Sequence, residues 1–159
     1  MLQYDFEESV GCWVTMTAHE MRRALDTELS KEKITFRQWE VLAWITLKGE
    51  LSQVELAERI CIEAPTLAGI LARMERDGWL ERFACPRDRR KKRIRTTAKA
   101  ETVWNRMVEC CHRVRVRATR GFSAEELATL KQSCNRIRQN LHGSVAKECF
   151  SASQPANLN

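Results

Sequence analysis

The sequence predicts a mainly α-helical fold that carries one small β-hairpin, in the order α-α-α-α-β-β-α-α. Three observations predict it. Apolar residues recur at spacings of three and four along most of the 159 residues, the period of a helix with one apolar face. Ser/Thr-x-x-Glu/Gln capping boxes mark helix starts at Thr35, Ser52 and Ser123. The stretch from Trp79 to Thr96 breaks that rhythm with two short alternating segments flanking a run of cations.

Taken in order, Asp5 to Leu29 carries Phe6, Val10, Trp13, Thr17, Met21 and Ala24 at helical spacing and reads as one long amphipathic helix. Thr35-x-x-Gln38 opens a second helix that runs to about Leu47, with Trp39, Leu42, Ala43 and Thr46 on its apolar side and Lys48-Gly49-Glu50 ending it. Ser52-x-x-Glu55, with Leu51 stapled to Leu56, opens a short third helix that stops near Ile60. Pro65 tolerates the first turn of a fourth helix, Pro65 to Asp77, whose buried face is Leu67, Ile70, Leu71 and Met74 and whose left-handed stop is Gly78. Trp79 to Phe83 and Lys92 to Thr96 then pair as a hairpin with a long charged tip. Thr97 caps a fifth helix with Ala100, Val103, Met107, Cys110, Val114 and Arg117 in step, ending by Gly121. The sixth starts at Ser123 and carries Leu127, Leu130, Cys134, Ile137, Leu141 and Val145, close to a coiled-coil seam. Beyond Phe150 the chain is polar.

Composition narrows the class. With 43% hydrophobic and 30% charged residues, the chain is a foldable soluble protein, too short for two enzyme lobes. No apolar run is long enough to span a bilayer and the start is acidic, so a cytoplasmic location is expected. Seven cysteines without a C-x-x-C pair argue against a disulfide framework or a zinc ribbon. The net charge of +6 is held entirely within residues 85–95, where seven Arg and Lys face only Asp88. A locally contacted polyanion fits that distribution better than a generally basic surface.

The middle of this order is a winged helix-turn-helix. Leu56, Ala57, Ile60, Ile62, Leu67 and Ile70 fall where two steeply crossed helices bury side chains against each other, and Cys61 occupies the turn position that favours a left-handed backbone. The fourth helix would enter a major groove with Ala64, Pro65 and Thr66 foremost, and Arg73, farther along, would meet a phosphate. Thr35, Ser52 and Gln53, at helix amino termini, are candidate backbone anchors. The tip Arg87, Asp88, Arg89, Arg90, Lys91 and Lys92 would reach the neighbouring minor groove, whose narrow A·T tracts attract arginine.

Three segments carry a resemblance: Ile60-Cys61-Ile62-Glu63-Ala64-Pro65-Thr66-Leu67, Asp77-Gly78-Trp79-Leu80, and the run from Arg87 to Thr97. Together with Ile34-Thr35 and Trp39 they resemble the MarR family of bacterial regulators and its SlyA-like branch, over nearly the whole chain. The resemblance implies a homodimer with two DNA-binding lobes on a base made from the first, fifth and sixth helices, and binding to pseudo-palindromic promoter sites. It implies that Asp88 braces an arginine entering the minor groove, with Arg89 and Arg90 in that motif. One departure is Gly69, where SlyA-like proteins tend to carry Arg. Residues 1–30 and 97–150 are then the dimerisation region, 31–96 the DNA-binding lobe and 151–159 a tail. Phe6, Val10, Leu127, Leu130, Cys134, Ile137 and Leu141 are the dimerisation candidates.

The resemblance also implies a small aromatic acid effector in a cleft beside the dimer base. His19 and Arg22 on the first helix and Trp39 on the second are candidates for it, against the alternative that Trp39 is core and Arg22 solvated. Cys12 matches the place of a thiol sensor in another branch but has no cation beside it in sequence. Cys110 and Cys134 lie on apolar stripes and read as packing residues. Catalysis has no support: the histidines at 19, 112 and 142 are scattered and there is no Gly-rich phosphate loop. Cys110-Cys111-His112 point about 100° apart in a helix and do not converge on one ion. No cofactor or metal is expected. The sequence therefore reads as a homodimeric, double-stranded-DNA-binding transcription regulator that occludes promoters as a repressor, or displaces another protein from them, and is released by a ligand. The alternatives are a winged-helix protein-interaction module and a thiol-based redox regulator.

Overall fold

The computed structural model describes residues 5–85 and 88–142, and only the backbone of Cys85, Asp88 to Lys91 and His142. Arg87, Val145 and the tail 151–159 lie outside the described residues. The elements run α1 (Val10–Lys31), α2 (Phe36–Lys48), β1 (Leu51–Ser52), α3 (Gln53–Ile60), α4 (Ala64–Arg76), β2 (Leu80–Cys85), β3 (Asp88–Thr96), α5 (Ala98–Ala118) and α6 (Ala124–His142). This is the expected mainly helical class with a small antiparallel sheet. The chain divides into two compact units, Met1–Ala118 and Thr119–Asn159.

Local chemistry sets most boundaries. The capping boxes of α2 and α3 are complete: Thr35 and Ser52 each accept the amide three residues on, and Gln38 and Glu55 return to the cap amides. Gly49 and Gly78 take positive φ at the ends of α2 and α4, where side-chain-bearing residues are strained. The first helix starts at Val10 rather than Asp5. Ser9 Oγ accepts the Cys12 amide at 3.3 Å, whereas the Asp5 carboxylate accepts the Glu7 and Glu8 amides and closes a separate turn. Phe6 consequently precedes the helix.

In the first unit one apolar core gathers α1 to α5 and the sheet. Leu29, Leu42, Leu56, Leu67, Leu71 and Met107 are essentially inaccessible to water, each contributing roughly 1.5–3 kcal/mol by burial. The core face of α2 is Val41, Leu42 and Ile45. The predicted stripe of Trp39, Ala43 and Thr46 lies beside it, half-buried or exposed. The sheet order is β1-β3-β2, with Leu51 opposite Ile94 and Leu80 opposite Thr96. The two-residue β1 was not anticipated; Leu51 and Ser52 have too little length to show alternation.

α1 and α5 meet around a buried carboxylate. Glu28, 6% exposed, accepts hydrogen bonds from Lys31 Nζ at 2.7 Å and from Arg113 Nε at 2.9 Å. Arg113 also reaches Cys110 Sγ at 3.2 Å. A lone buried carboxylate would be costly, and these two cations compensate it. In the second unit, Ser123 and Glu126 form the expected capping box at the start of α6. Cys110 is buried as a packing residue, whereas Cys134 is exposed on α6, so its apolar stripe does not make it core within one chain.

The Lys31 and then the Arg113 hydrogen bonds hold the Glu28 carboxyl below the ordinary glutamate range. A folded-state value below the unfolded one means stability that is present above about pH 4.5, the ordinary value, and lost as pH falls through the lower folded value. Glu28→Gln should therefore be less stable than wild type at neutral pH, with the two curves converging in acid. Urea unfolding between pH 7 and pH 3 checks this, and parallel curves would contradict it.

Candidate nucleic-acid interface

The helix-turn-helix is α3, the turn Cys61 to Glu63, and α4. Cys61 adopts φ 54° and ψ 51°, the left-handed conformation expected of that turn position. Its amide and that of Ile62 both donate to the Ala57 carbonyl, which fastens the turn to the last turn of α3. Leu56 and Ile60 from α3 and Leu67, Ile70, Leu71 and Met74 from α4 are buried. That stripe fixes the roll of α4 and turns Pro65, Thr66, Gly69, Ala72 and Arg73 to the outside.

The candidate anchors have internal duties. The Thr35 and Ser52 hydroxyls serve as caps, and Gln53 Nε2 donates to the Ala64 carbonyl at 3.3 Å, joining α3 to the first turn of α4. No side chain caps α4 itself, and its first residues Ala64, Pro65 and Thr66 are exposed. The first-turn amides of Ala64 and Thr66 thus point outward without a capping side chain, the arrangement that favours anions.

The wing is β2 and β3. From Leu80 to Ala84 it pairs regularly with Thr96 to Lys92, and the next pair is Cys85 with Asp88. This register shift sets residues 89–91 against a single step of β2, so the strands extend farther into the cationic stretch than the predicted Phe83 and Lys92 limits. Such bulges twist a strand and re-aim it. Lys92 is exposed. Arg87 lies outside the described residues, and Asp88, Arg89, Arg90 and Lys91 are placed by backbone alone.

Two wing arginines outside the predicted tip act inward. Arg93 donates to the Glu50 carbonyl and lies 3.6 Å from Glu55, whose carboxyl the Ser52 amide and hydroxyl hold below its ordinary range with Arg93 adding to the effect. Arg95 pairs with Glu81 at 2.7 Å and covers the Phe83 ring at 4.6 Å. From β2, Arg82 reaches Glu75 on α4 at 3.4 Å. The wing is thereby tied to the start of α3 by contacts distant in sequence and to the end of α4 by the nearer Arg82–Glu75 pair.

The effector candidates are only partly brought together. His19 is exposed. Arg22 lies over the Phe36 ring at 4.5 Å, and Phe36 meets Trp39 with ring centroids 5.2 Å apart. Phe36 was missed because a helix's first residue carries no periodic signal. A cavity of about 380 Å³ lies elsewhere, between α2 and the start of α5, lined by Leu42, Thr46, Thr97, Ala100, Glu101 and Trp104. Cys12 is half-buried with its thiol 3.7 Å from Met16 Sδ. Burial raises the Cys110 and Cys111 thiols above their ordinary value, which keeps them protonated. Among the described residues no group of three or more His, Cys, Asp or Glu could hold a metal ion, and no helix is long and apolar enough to cross a membrane.

By fold and exposed face this is a winged helix-turn-helix protein. A MarR family profile matches residues 34–92, which span the helix-turn-helix and most of the wing. Among solved structures, the transcriptional regulator PA3341 is 31% identical with a TM-score of 0.75, the match covering 84% of this chain and 98% of that one. The transcriptional regulator PA4135 is 27% identical with a TM-score of 0.73, covering 82% and 96%. A mutant MarR from E. coli, complexed with operator DNA, is 25% identical with a TM-score of 0.71, covering 85% and 99%. The chain belongs to the MarR family, and is a DNA-binding transcriptional regulator.

The left-handed turn offers a direct check on this geometry. Cβ strain at Cys61 costs on the order of 1 kcal/mol, so Cys61→Gly should raise unfolding stability by about that amount. Urea denaturation measures it; a loss of stability would mean that the turn does not hold this conformation in solution.

Proposed function

We propose that the protein works as a homodimeric repressor of the SlyA-like branch in the cytoplasm, binding a pseudo-palindromic double-stranded DNA site and releasing it when a ligand binds. Each lobe, residues 31–96, lays α4 in a major groove and its wing in the adjoining minor groove. The observation that carries this reading is the pairing of an outward face on α4 with a wing that holds the whole net charge of +6. The MarR of E. coli solved with operator DNA supports it.

Ala64, Pro65 and Thr66 meet the groove first, Thr35, Ser52 and Gln53 stand near the sugar-phosphate backbone, and Arg87 to Lys92 grip the minor groove. Within that tip Asp88 braces one of Arg89 and Arg90. Their partners Arg93 and Arg95 contribute by holding the wing rather than by contact. The experiment is Arg89→Ala with Arg90→Ala, which should abolish sequence-specific binding in a fluorescence-anisotropy titration while leaving the oligomeric state unchanged. Wild-type affinity should fall steeply with salt, the log-log slope being about −0.9 per phosphate neutralised. A double variant that binds normally, or a flat salt dependence, would assign the wing to protein interaction instead.

Residues 1–30 and 97–150 supply the dimer base. On α1, Val10 and Trp13 are about half exposed, Phe6 before it is 65% exposed, and on α6 Leu130 and Leu141 are 51% and 77% exposed. Set together on one face, such apolar side chains would form the kind of patch that a partner covers. Leu127, Cys134 and Ile137 extend the α6 set. Replacing Leu130 and Ile137 together by Glu should convert the dimer to a monomer in light scattering; an unchanged dimer would remove α6 from the interface.

The effector is a small aromatic acid. Arg22 over Phe36, with Trp39 alongside, offers a cation and aromatic faces to such a ligand. The cavity near Trp104 has Glu101 and no cation in its lining, which disfavours an anion there.

A further inference from the structure

The outward face of α4 is built from small side chains and one long one. Ala64, Pro65 and Thr66 occupy its first turn, Gly69 its second, and Ala72 and Arg73 its third, all exposed. The other ionic groups at the end of the helix are occupied: Arg76 lies 3.7 Å from Asp77, and Glu75 pairs with Arg82. Arg73 makes no ion pair among the described residues.

Gly69 has no conformational reason to be glycine. It sits inside a helix with ordinary helical backbone, outside the set of positive-φ residues, where glycine is less favourable than alanine. No core side chain or neighbouring backbone crowds it. The one atom within 4 Å of the place where its Cβ would be is Arg73 Nη1, at 3.9 Å. Side chains on a helix lean toward its amino terminus, and four residues correspond to about 6 Å along the axis. The Arg73 guanidinium therefore lies back over Gly69, at the level of the second turn, close to the end of the helix that enters the groove first.

We propose that Arg73, laid over the floor left open by Gly69, is the specificity-determining residue of the recognition helix and reads one guanine in each half-site. The reading rests on the DNA-binding function proposed above and replaces the phosphate contact that sequence position alone implies for Arg73. A guanidinium presents two parallel N–H donors matched to guanine O6 and N7, the commonest specific pairing in a major groove. Ala64 and Pro65 offer only apolar contact and the Thr66 hydroxyl is short, so Arg73 is the side chain on this face with both reach and a two-pronged donor set. Gly69 matters because any long side chain there would lift the guanidinium off the helix and away from that position.

The experiment selects duplexes from a random-sequence pool with the full-length wild-type protein and with Arg73→Ala, Gly69→Ala and Gly69→Leu, each first matched to wild type by circular dichroism. Binding to the selected duplexes is then titrated by anisotropy. Wild type should enrich a two-fold symmetric sequence with a G·C pair at one position in each half, and 7-deazaguanine at that position should weaken binding about tenfold or more. Arg73→Ala should lose preference at that pair alone. Gly69→Ala, whose methyl would lie in ordinary contact, should keep the preference, and Gly69→Leu should lose it with Arg73 still present. If Arg73→Ala selects the same sequence, binds all duplexes evenly more weakly and has a salt slope shallower by about one phosphate, Arg73 is a backbone contact and the proposal is overturned while DNA binding stands. If wild type enriches no sequence at all, the DNA-binding reading fails and this one with it.

Discussion

Burial of the Leu67, Ile70, Leu71 and Met74 stripe is the constraint on which the rest of the molecule depends. An amphipathic helix has one angle at which its apolar side chains are covered, and covering four of them leaves little freedom to roll. That angle decides which residues of α4 face outward, and therefore which atoms can touch a groove. The left-handed turn at Cys61 and the bond from Gln53 to Ala64 then set where the helix starts relative to α3.

The wing is placed by a different kind of interaction. Ile94 and Leu80 anchor its root in the core, while Arg93 and Arg82 bind it to the start of α3 and to α4 through exposed or half-exposed ionic contacts. Each such pair is worth little in isolation, and their value is in orientation. A division of labour within the cationic stretch follows: Arg93 and Arg95, nearest the root, pair with the protein's own Glu55 and Glu81.

Much of this was legible in the sequence because it is local. The capping boxes at Thr35, Ser52 and Ser123, the stops at Gly49 and Gly78, the α4 core stripe and the odd turn at Cys61 each depend on residues within a few positions of one another. What was not legible depends on distant partners. The strand at Leu51 and Ser52 exists because Ile94 and Arg93 come alongside; the Arg22, Phe36 and Trp39 stack needs the α1–α2 crossing; and Arg93 is indistinguishable from its cationic neighbours until Glu50 and Glu55 are in place. The start of α1 was missed for a local reason, the competition between Asp5 and Ser9 for nearby amides. Of the candidate interface, the helix and the wing were readable as segments, whereas the cap duties of Thr35 and Ser52 and the fold-back of Arg73 over Gly69 required the assembled backbone.

The central claim, that the outward face of α4 and the wing together form the DNA-contacting surface, is tested most directly by hydrogen-exchange mass spectrometry of the intact protein with and without a bound duplex. Protection should appear in peptides covering the first turn of α4 and in those covering residues 85–96, with exchange along the first two turns of α1 unchanged. Protection confined to α1, or none in the wing and α4 despite saturating DNA, would contradict it.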